Sequence, residues 1–290
     1  MLGHRSMPLS GTTHIQMKNC IGIMQGRLSR PVDGKIQAFP WNTWEQEFFQ
    51  AKEIGLDVID WIVEKDRLHE NPLLTEQGAK TITSLVEKSG VKIGAVCADY
   101  FISCPLLRCS QSELTERIEV LELLIDYLHH FGTQYLEIPF VDNSAIMDET
   151  ELEQIIQIIG PRLTKAHELG VTLAFETSLP ANILSNFLKR LDHPAARANY
   201  DMGNSASLGF NPSEELDAYG EFVVTVHVKD RLISGGTVPL GQGNTDFATC
   251  FSMLKAKHYT GPFFLQVARG DNEIDWTKRN VAFVKHFLGI

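Results

Sequence analysis

Short apolar runs, rich in β-branched and aromatic residues, alternate along the chain with longer stretches of helical periodicity. Between two of the runs, for example, Leu152, Ile155, Ile159 and Leu163 fall on one helical face. Alternation of this kind predicts parallel strands joined by crossover helices. From residue 20 onward the strand-like runs are CIGIMQ, GLDVIDWIV, GVKIGAVCA, TQYLEIPF, GVTLAFET, ARANYDMG, FVVTVHVK and GPFFLQVA.

Eight strand–helix units predict a closed (β/α)8 TIM barrel of the α/β class, formed as a single domain by residues 20–290. An open doubly wound sheet is the alternative, but neither a GxGxxG motif nor a Walker loop follows the first run. Residues 1–19 are polar and without a pattern, and Met7 and Met17 are candidate later starts. We expect this segment to be a disordered tail or leader.

Strand parity predicts which polar side chains point into the barrel, because successive residues of a strand face opposite sides. In VTLAFET the apolar Leu173 and Phe175 share one face, and Glu176 lies on the other with Thr172 and Ala174. The same division predicts inward side chains at positions near the carboxyl ends of other strands, where barrel enzymes keep their active sites. These positions are Asp60, Glu137, Thr225, His227, Lys229, Phe264 and Gln266.

Glu176, Asp201 and His227 follow one another at intervals of about one strand–helix unit, so a barrel would bring them to one face. Two carboxylates and an imidazole converging there predict a divalent metal site. Each residue also has a simpler interpretation. Glu176 could form a structural salt bridge, Asp201 could cap a helix that starts at DMGNS, and His227 could be a hydrogen-bonded core residue.

Charge and hydropathy narrow the range of partners. The 290 residues are 43% hydrophobic and carry a formal net charge of −10. An acidic chain without a basic stripe is poorly suited to a phosphate backbone, so we expect no nucleic-acid partner. No apolar run reaches membrane-spanning length and no secretory signal is evident, which predicts a cytoplasmic protein without a membrane partner.

The ordered motifs FETSLP, YDMGNSASLG, VHVKDR, VPLGQGNTDF and YTGPFFLQ resemble those of the xylose isomerase-like TIM barrel superfamily. Among its members they are most similar to the sugar phosphate isomerases and epimerases, including the L-ribulose-5-phosphate 3-epimerase family. The resemblance runs from about Cys20 to the C-terminus and is strongest from Val171 onward. It specifies a superfamily more than a substrate.

The resemblance implies one divalent ion, Mn, Co, Zn or Mg, held by ligands on strands five to eight. Carried over, those ligands are Glu176, Asp201, His227 and Gln266. The last position departs from the family, which has a glutamate there. The resemblance also implies that Glu176 is a catalytic base. The amide of Gln266 has no titratable proton and cannot be the second acid or base. Lys229, Glu137 or Asp60 could take that role, or the reaction could need only one such group.

Other polar residues near the strand ends are candidates for binding substrate: Glu137, Asn204, Asp230, Arg231 and Arg269. The arginines could hold an anionic group of the substrate, although ordinary surface positions explain them equally well.

The sequence thus predicts a metal-dependent isomerase or epimerase of a small sugar or sugar phosphate, acting through proton abstraction beside a carbonyl and an enediolate. The alternatives are a metal-dependent dehydratase, similar to inosose dehydratase, and a sugar-binding protein with weakened chemistry. The resemblance makes a homodimer a candidate assembly. If Gln266 is a metal ligand, Gln266→Glu should tighten metal binding.

Overall fold

Eight parallel strands close into a barrel in the computed structural model, which describes residues 19–290. The barrel strands are β1 (Ile21–Met24), β2 (Val58–Ile62), β3 (Lys92–Cys97), β4 (Tyr135–Phe140), β5 (Thr172–Thr177), β6 (Ala196–Asp201), β7 (Val223–Val228) and β10 (Phe263–Leu265). Around the barrel they are hydrogen-bonded in the order β1, β10, β7, β6, β5, β4, β3, β2. A small antiparallel pair, β8 (Asp230–Arg231) and β9 (Thr237–Val238), follows β7.

The predicted (β/α)8 barrel is therefore confirmed. The prediction that residues 1–19 form a tail or leader lies outside the described residues, apart from Asn19.

Helices follow the barrel strands and cover the outside of the sheet. They are α1 (Trp44–Ile54), α2 (Glu76–Ser89), α3 (Tyr100–Ser103), α4 (Gln111–Phe131), α5 (Glu149–Glu168), α6 (Ala181–Leu191), α7 (Met202–Ser207), α8 (Pro212–Tyr219), α9 (Phe247–Ala256) and α10 (Glu273–Leu288). Short 3-10 helices occur at Leu68–Glu70, Pro72–Leu74, Asp142–Ser144 and Gly220–Phe222. Gly55, at φ 82°, ends α1 in the left-handed conformation that glycine adopts readily. Among residues 19–290, no helix is long and apolar enough to cross a membrane.

An apolar plug fills the barrel axis below the strands' carboxyl ends. Phe264 packs there with Val58 and Ala95. Gly22 and Gly94 leave room for the plug, because a Cβ on Gly22 would lie 2.6 Å from the Phe264 ring and one on Gly94 would lie 2.8 Å from Val58. The plug closes the lower part of the barrel, so the polar side chains that point inward collect above it, toward the strands' carboxyl ends.

Candidate active site and metal centre

Glu176, Asp201 and His227 converge above this plug, as their strand positions predict. Each offers one ligand atom, and these atoms all lie within 4.8 Å of one another. All three side chains are buried. Their strands β5, β6 and β7 are neighbours in the barrel, and Asp201 pairs directly with His227.

The His227 ring is held between two layers of carboxylates. Its Nε2 atom lies 2.9 Å from Glu137 Oε2 and 3.2 Å from Asp60 Oδ2, deeper in the barrel. Its Nδ1 atom faces the other way, 3.3 Å from Glu176 Oε2 and 3.8 Å from Asp201 Oδ2. If Nε2 carries the proton, it donates to the deeper carboxylates and leaves the Nδ1 lone pair on the side of Glu176 and Asp201. This is the arrangement in which a second carboxylate orients a metal-binding histidine.

The deep carboxylates change the charge state of this layer. Burial and the neighbouring Glu137 carboxylate raise the pKa of Asp60 well above its ordinary value. Burial alone would lower the pKa of His227, but Glu137 and the hydrogen bonds to Asp201, Asp60 and Glu137 raise it well above 6.5. Asp60 Oδ1 and Glu137 Oε1 are buried without a hydrogen-bond partner. Both directions reflect several carboxylates crowded around one ring, an arrangement that favours a proton or another cation among them.

Lys229 supplies the positive charge nearest to the ligand cluster. Its Nζ atom lies 3.2 Å from Asp201 Oδ2 and 2.8 Å from Gln266 Oε1. Although burial opposes it, the Lys229 ammonium, together with His227 and the backbone N–H of Asn204, lowers the pKa of Asp201 from 3.8 to about 2. Gln266 follows directly after β10, and its backbone N–H donates to Val228 O at 3.1 Å, which extends the pairing with β7. Asp201, at the end of β6, and Gln266, just after β10, therefore contact the same ammonium group.

Two asparagine side chains hold Glu176 in place. Asn204 Nδ2 donates to Glu176 Oε1 at 2.5 Å, and Asn199 Nδ2 donates to Glu176 Oε2 at 3.1 Å. Arg231 in turn donates to Asn204 Oδ1 at 2.8 Å, and Thr225 donates to Asn199 Oδ1 at 3.1 Å. Because each amide oxygen is already hydrogen-bonded, each amide N–H group points at Glu176.

Asp201 caps a helix with one carboxylate oxygen and turns the other toward the candidate metal centre. Its Oδ1 atom accepts from the backbone N–H of Asn204 at 2.8 Å and caps α7, while Oδ2 faces Lys229 and His227. The cap fixes the rotamer of the side chain and so fixes the direction of the other oxygen.

The donor set fits the divalent cation that the sequence predicts. Carboxylate oxygens from Glu176 and Asp201, an imidazole nitrogen from His227 and the amide oxygen of Gln266 are suitable ligands for Mn, Co, Zn or Mg. The second layer of Asp60 and Glu137 supplies the outer hydrogen bonds that such sites need.

The predicted substrate-binding residues lie in several different environments. Asn204 and Arg231 are linked to Glu176, as described above. Glu137 is almost fully buried against His227. Asp230 is also buried, and its carboxylate accepts from the backbone N–H groups of Gly241, Gly243 and Thr245. Arg269 donates to the carbonyl groups of Gly26, Ser29 and Ile36 in the loop between β1 and α1. A role in substrate binding stays a prediction for all five.

Sequence reasoning missed three polar residues of this region. Asn199 lies two residues before Asp201, and its inward parity was a usable signal. Asp99 comes two residues after β3, where a polar side chain at a strand's carboxyl end could also have been noted. Gln37 lies in the loop between β1 and α1, where no periodic pattern points to it.

Comparison with known proteins supports the family, the class of enzyme and the fold. The family model described as "Xylose isomerase-like TIM barrel" matches residues 48–287. A curated relative, L-ribulose-5-phosphate 3-epimerase UlaE from Salmonella heidelberg, is 25% identical over 259 residues, which cover 82% of this chain and 90% of the relative. The same enzyme from Escherichia coli K12 is 24% identical over 258 residues, with the same coverage. These matches confirm the family resemblance and the prediction of an enzyme of the isomerase and epimerase class.

Solved structures agree on the fold. A xylose isomerase domain protein from Planctomyces limnophilus superimposes with a TM-score of 0.72 at 16% identity, covering 94% of this chain and 96% of the other. A xylose isomerase-like TIM barrel protein from Mycobacterium smegmatis, in complex with magnesium, gives a TM-score of 0.69 at 18% identity and covers 93% and 96%. At these identities the likeness supports the architecture alone.

Proposed function

The chain belongs to the xylose isomerase-like TIM barrel family, and from this premise we propose that it is a divalent-metal-dependent epimerase or isomerase of a small sugar or sugar phosphate. The observation that carries the proposal is the position of Glu176. Its carboxylate lies beside Asp201 and His227 at the carboxyl end of the barrel and is held by two asparagine N–H groups. A carboxylate fixed in this way is placed to remove a proton from a bound substrate.

Glu176 acts as the base that takes the proton from the carbon beside the substrate carbonyl. Asn199 and Asn204 fix its orientation, so no side-chain rotation is required before proton transfer. A divalent cation held by Glu176, Asp201, His227 and Gln266 would supply electrostatic stabilisation of the negative charge that develops on the substrate oxygens.

Lys229 is our candidate for the second acid or base. Epimerisation requires a proton to be returned to the opposite face of the carbon, and Gln266 cannot provide one. Asp60 and Glu137 lie beneath the His227 ring and are almost completely buried. Lys229 is 14% exposed and lies on the Gln266 side of the cluster, away from the contacts of Glu176, so of the three candidates its proton is the most accessible.

We infer a ketose phosphate as the first substrate to test, because the curated relatives are named L-ribulose-5-phosphate 3-epimerase. A dehydratase would use the same proton abstraction, and a sugar-binding protein would use the same pocket. Only the product distinguishes these functions, since dehydration removes water from the substrate and epimerisation does not.

The proposal is tested by incubating the protein with a panel of ketoses and ketose 5-phosphates in the presence of Mn²⁺ and identifying the products by NMR. We expect a product that is an epimer or isomer of the substrate and has the same mass. A product lighter by one water would identify a dehydratase instead. Calorimetric binding of a sugar without any product would indicate a binding protein.

A further inference from the structure

Gln37 reaches from the loop between β1 and α1 to the side chain of Gln266. Its Oε1 atom lies 3.1 Å from Gln266 Nε2 and 3.2 Å from Arg27 Nη2. Its Nε2 atom donates to Asp99 Oδ2 at 2.7 Å. The oxygen of Gln37 thus contacts both Gln266 and the Arg27 cation, and its nitrogen contacts the Asp99 anion.

The chemistry of these neighbours permits one orientation of both amides. Arg27 can only donate hydrogen bonds, and although burial and Arg269 lower its pKa to about 9, it remains a cation at neutral pH. The Asp99 carboxylate accepts, as it also does from Cys97 Sγ at 3.3 Å. The oxygen of Gln37 must therefore face Arg27 and Gln266.

The orientation of Gln266 follows from that of Gln37. Because the Gln37 oxygen has no proton, Gln266 must turn its N–H group toward it. The Gln266 oxygen is then directed to the opposite side, where Lys229 donates to it at 2.8 Å. The Arg27–Gln37–Gln266–Lys229 chain has an acceptor opposite every donor.

We propose that Gln37, anchored by Arg27 and Asp99, is a positioning residue that fixes the amide of Gln266 with its oxygen toward the cation-binding side, and that position 266 therefore selects a neutral amide over a carboxylate. The inference deepens the proposed function and rests on it only where a metal ion is concerned. The hydrogen-bond pairing itself does not depend on that function.

A glutamate at position 266 would place a carboxylate oxygen against the Gln37 oxygen with no proton between them. Rotating Gln37 would relieve this contact only by creating two others, because its N–H group would then face the Arg27 donor and its oxygen would face Asp99. Either orientation leaves mismatched groups, which cost free energy in a partly buried site. While Gln37 is present, Gln266→Glu therefore tightens metal binding less than its added negative charge alone would.

The test is a double-mutant cycle between Gln266→Glu and Gln37→Met, which removes the amide at position 37 and keeps a side chain of similar length. Mn²⁺ affinity is measured by calorimetry on the four full-length proteins. We expect Gln266→Glu to increase the affinity at least about tenfold more in the Gln37→Met background than in the native background. An equal change in both backgrounds would overturn the proposal.

Gln77→Met is the matched control, since Gln77 is exposed on the outer helix α2. We expect it to leave the effect of Gln266→Glu on Mn²⁺ affinity unchanged. A general effect of losing a glutamine would appear in this background too, and would contradict a specific role for Gln37.

Thermal unfolding of the same proteins in EDTA separates this inference from the proposed function. We expect the midpoint change caused by Gln266→Glu to be more favourable by several degrees in the Gln37→Met background, whether or not the protein binds metal. If native protein fails to bind Mn²⁺ but the midpoints remain coupled, the metal function is wrong and the pairing stands. Midpoint changes that are simply additive would overturn the pairing.

Discussion

The ammonium nitrogen of Lys229 lies 2.8 Å from the amide oxygen of Gln266 and contacts the Asp201 carboxylate at 3.2 Å. Two oxygens that belong to the candidate metal-ligand set are therefore shared with an internal cation. A divalent ion that binds Asp201 and Gln266 competes with the Lys229 side chain for them. Lys229 thereby links metal affinity to the geometry of the site.

Replacing Lys229 by methionine should tighten Mn²⁺ binding, because it removes a positive charge that repels the ion and occupies its ligands. At the distances found here we expect at least about a tenfold gain, which corresponds to roughly 1.4 kcal/mol. Turnover should fall in the same variant if Lys229 is the second acid or base. Calorimetry and steady-state assays measure the two effects separately, and weaker Mn²⁺ binding would contradict the competition.

Replacing Glu176 by glutamine should reduce turnover by about 10² to 10⁴, the range expected when a catalytic base is lost. The variant keeps a side chain of the same length, although its N–H group will meet the Asn199 or Asn204 donor. Glu168→Gln, at the exposed end of α5, is the control. Turnover of Glu176→Gln equal to that of this control would exclude Glu176 as the base.

Replacing Glu137 by glutamine should weaken metal binding about 10- to 100-fold without removing a ligand. The reason is that Glu137 accepts a hydrogen bond from His227 Nε2 and increases the basicity of the ring. The glutamine oxygen can still accept this bond, so the loss reflects the missing charge. Metal titration by calorimetry checks the prediction, and unchanged affinity would show that the deep carboxylate does not act on His227.

Glu47 should give the folded protein a pH-dependent stability. It is buried, binds the N–H of Gly26 and the hydroxyl of Ser29, and burial raises its pKa from 4.5 to about 7. Because the folded state favours the protonated form of Glu47, its contribution to stability is complete below about pH 4.5. That contribution is lost as the pH rises to about 7. At 1.36 kcal/mol per pH unit the loss is about 3 kcal/mol.

Glu47→Gln should remove this dependence, because the amide cannot ionise and can still accept from Gly26 and donate to Ser29. The measurement is the unfolding free energy from denaturant titrations of both proteins at pH 5, 6, 7 and 8. A native protein whose stability falls no more than that of the variant over this interval would show that Glu47 is not the source.

Period-two strand patterns made much of the site predictable. Glu176 and His227 alternate with apolar residues of their own strands that pack outward, so their side chains were predicted to point into the barrel. The same pattern could not distinguish Asp230, which follows β7 and holds loop amides, from a residue that faces the site. A charge just beyond a strand can serve either purpose, and only the loop conformation decides between them.

The orientation of Gln266 could not be predicted from the sequence. It depends on Gln37, which reaches the site from an irregular loop, and on Arg27 and Asp99 at that residue's other contacts. Loop geometry of this kind arises from many tertiary contacts, such as those of Arg269 with Gly26 and Ile36, and leaves no periodic signal.

The most direct test of the proposed function is proton exchange at the substrate carbon beside the carbonyl, monitored by NMR in heavy water with Mn²⁺ and the panel of ketoses and ketose phosphates. We expect native protein to exchange this proton for deuterium and to form an epimer or isomer. We expect EDTA to abolish the exchange and Glu176→Gln to slow it by about 10² to 10⁴. Exchange at full rate in the Glu176→Gln protein, or no exchange with any sugar while Mn²⁺ and sugar are bound, would contradict the proposed function.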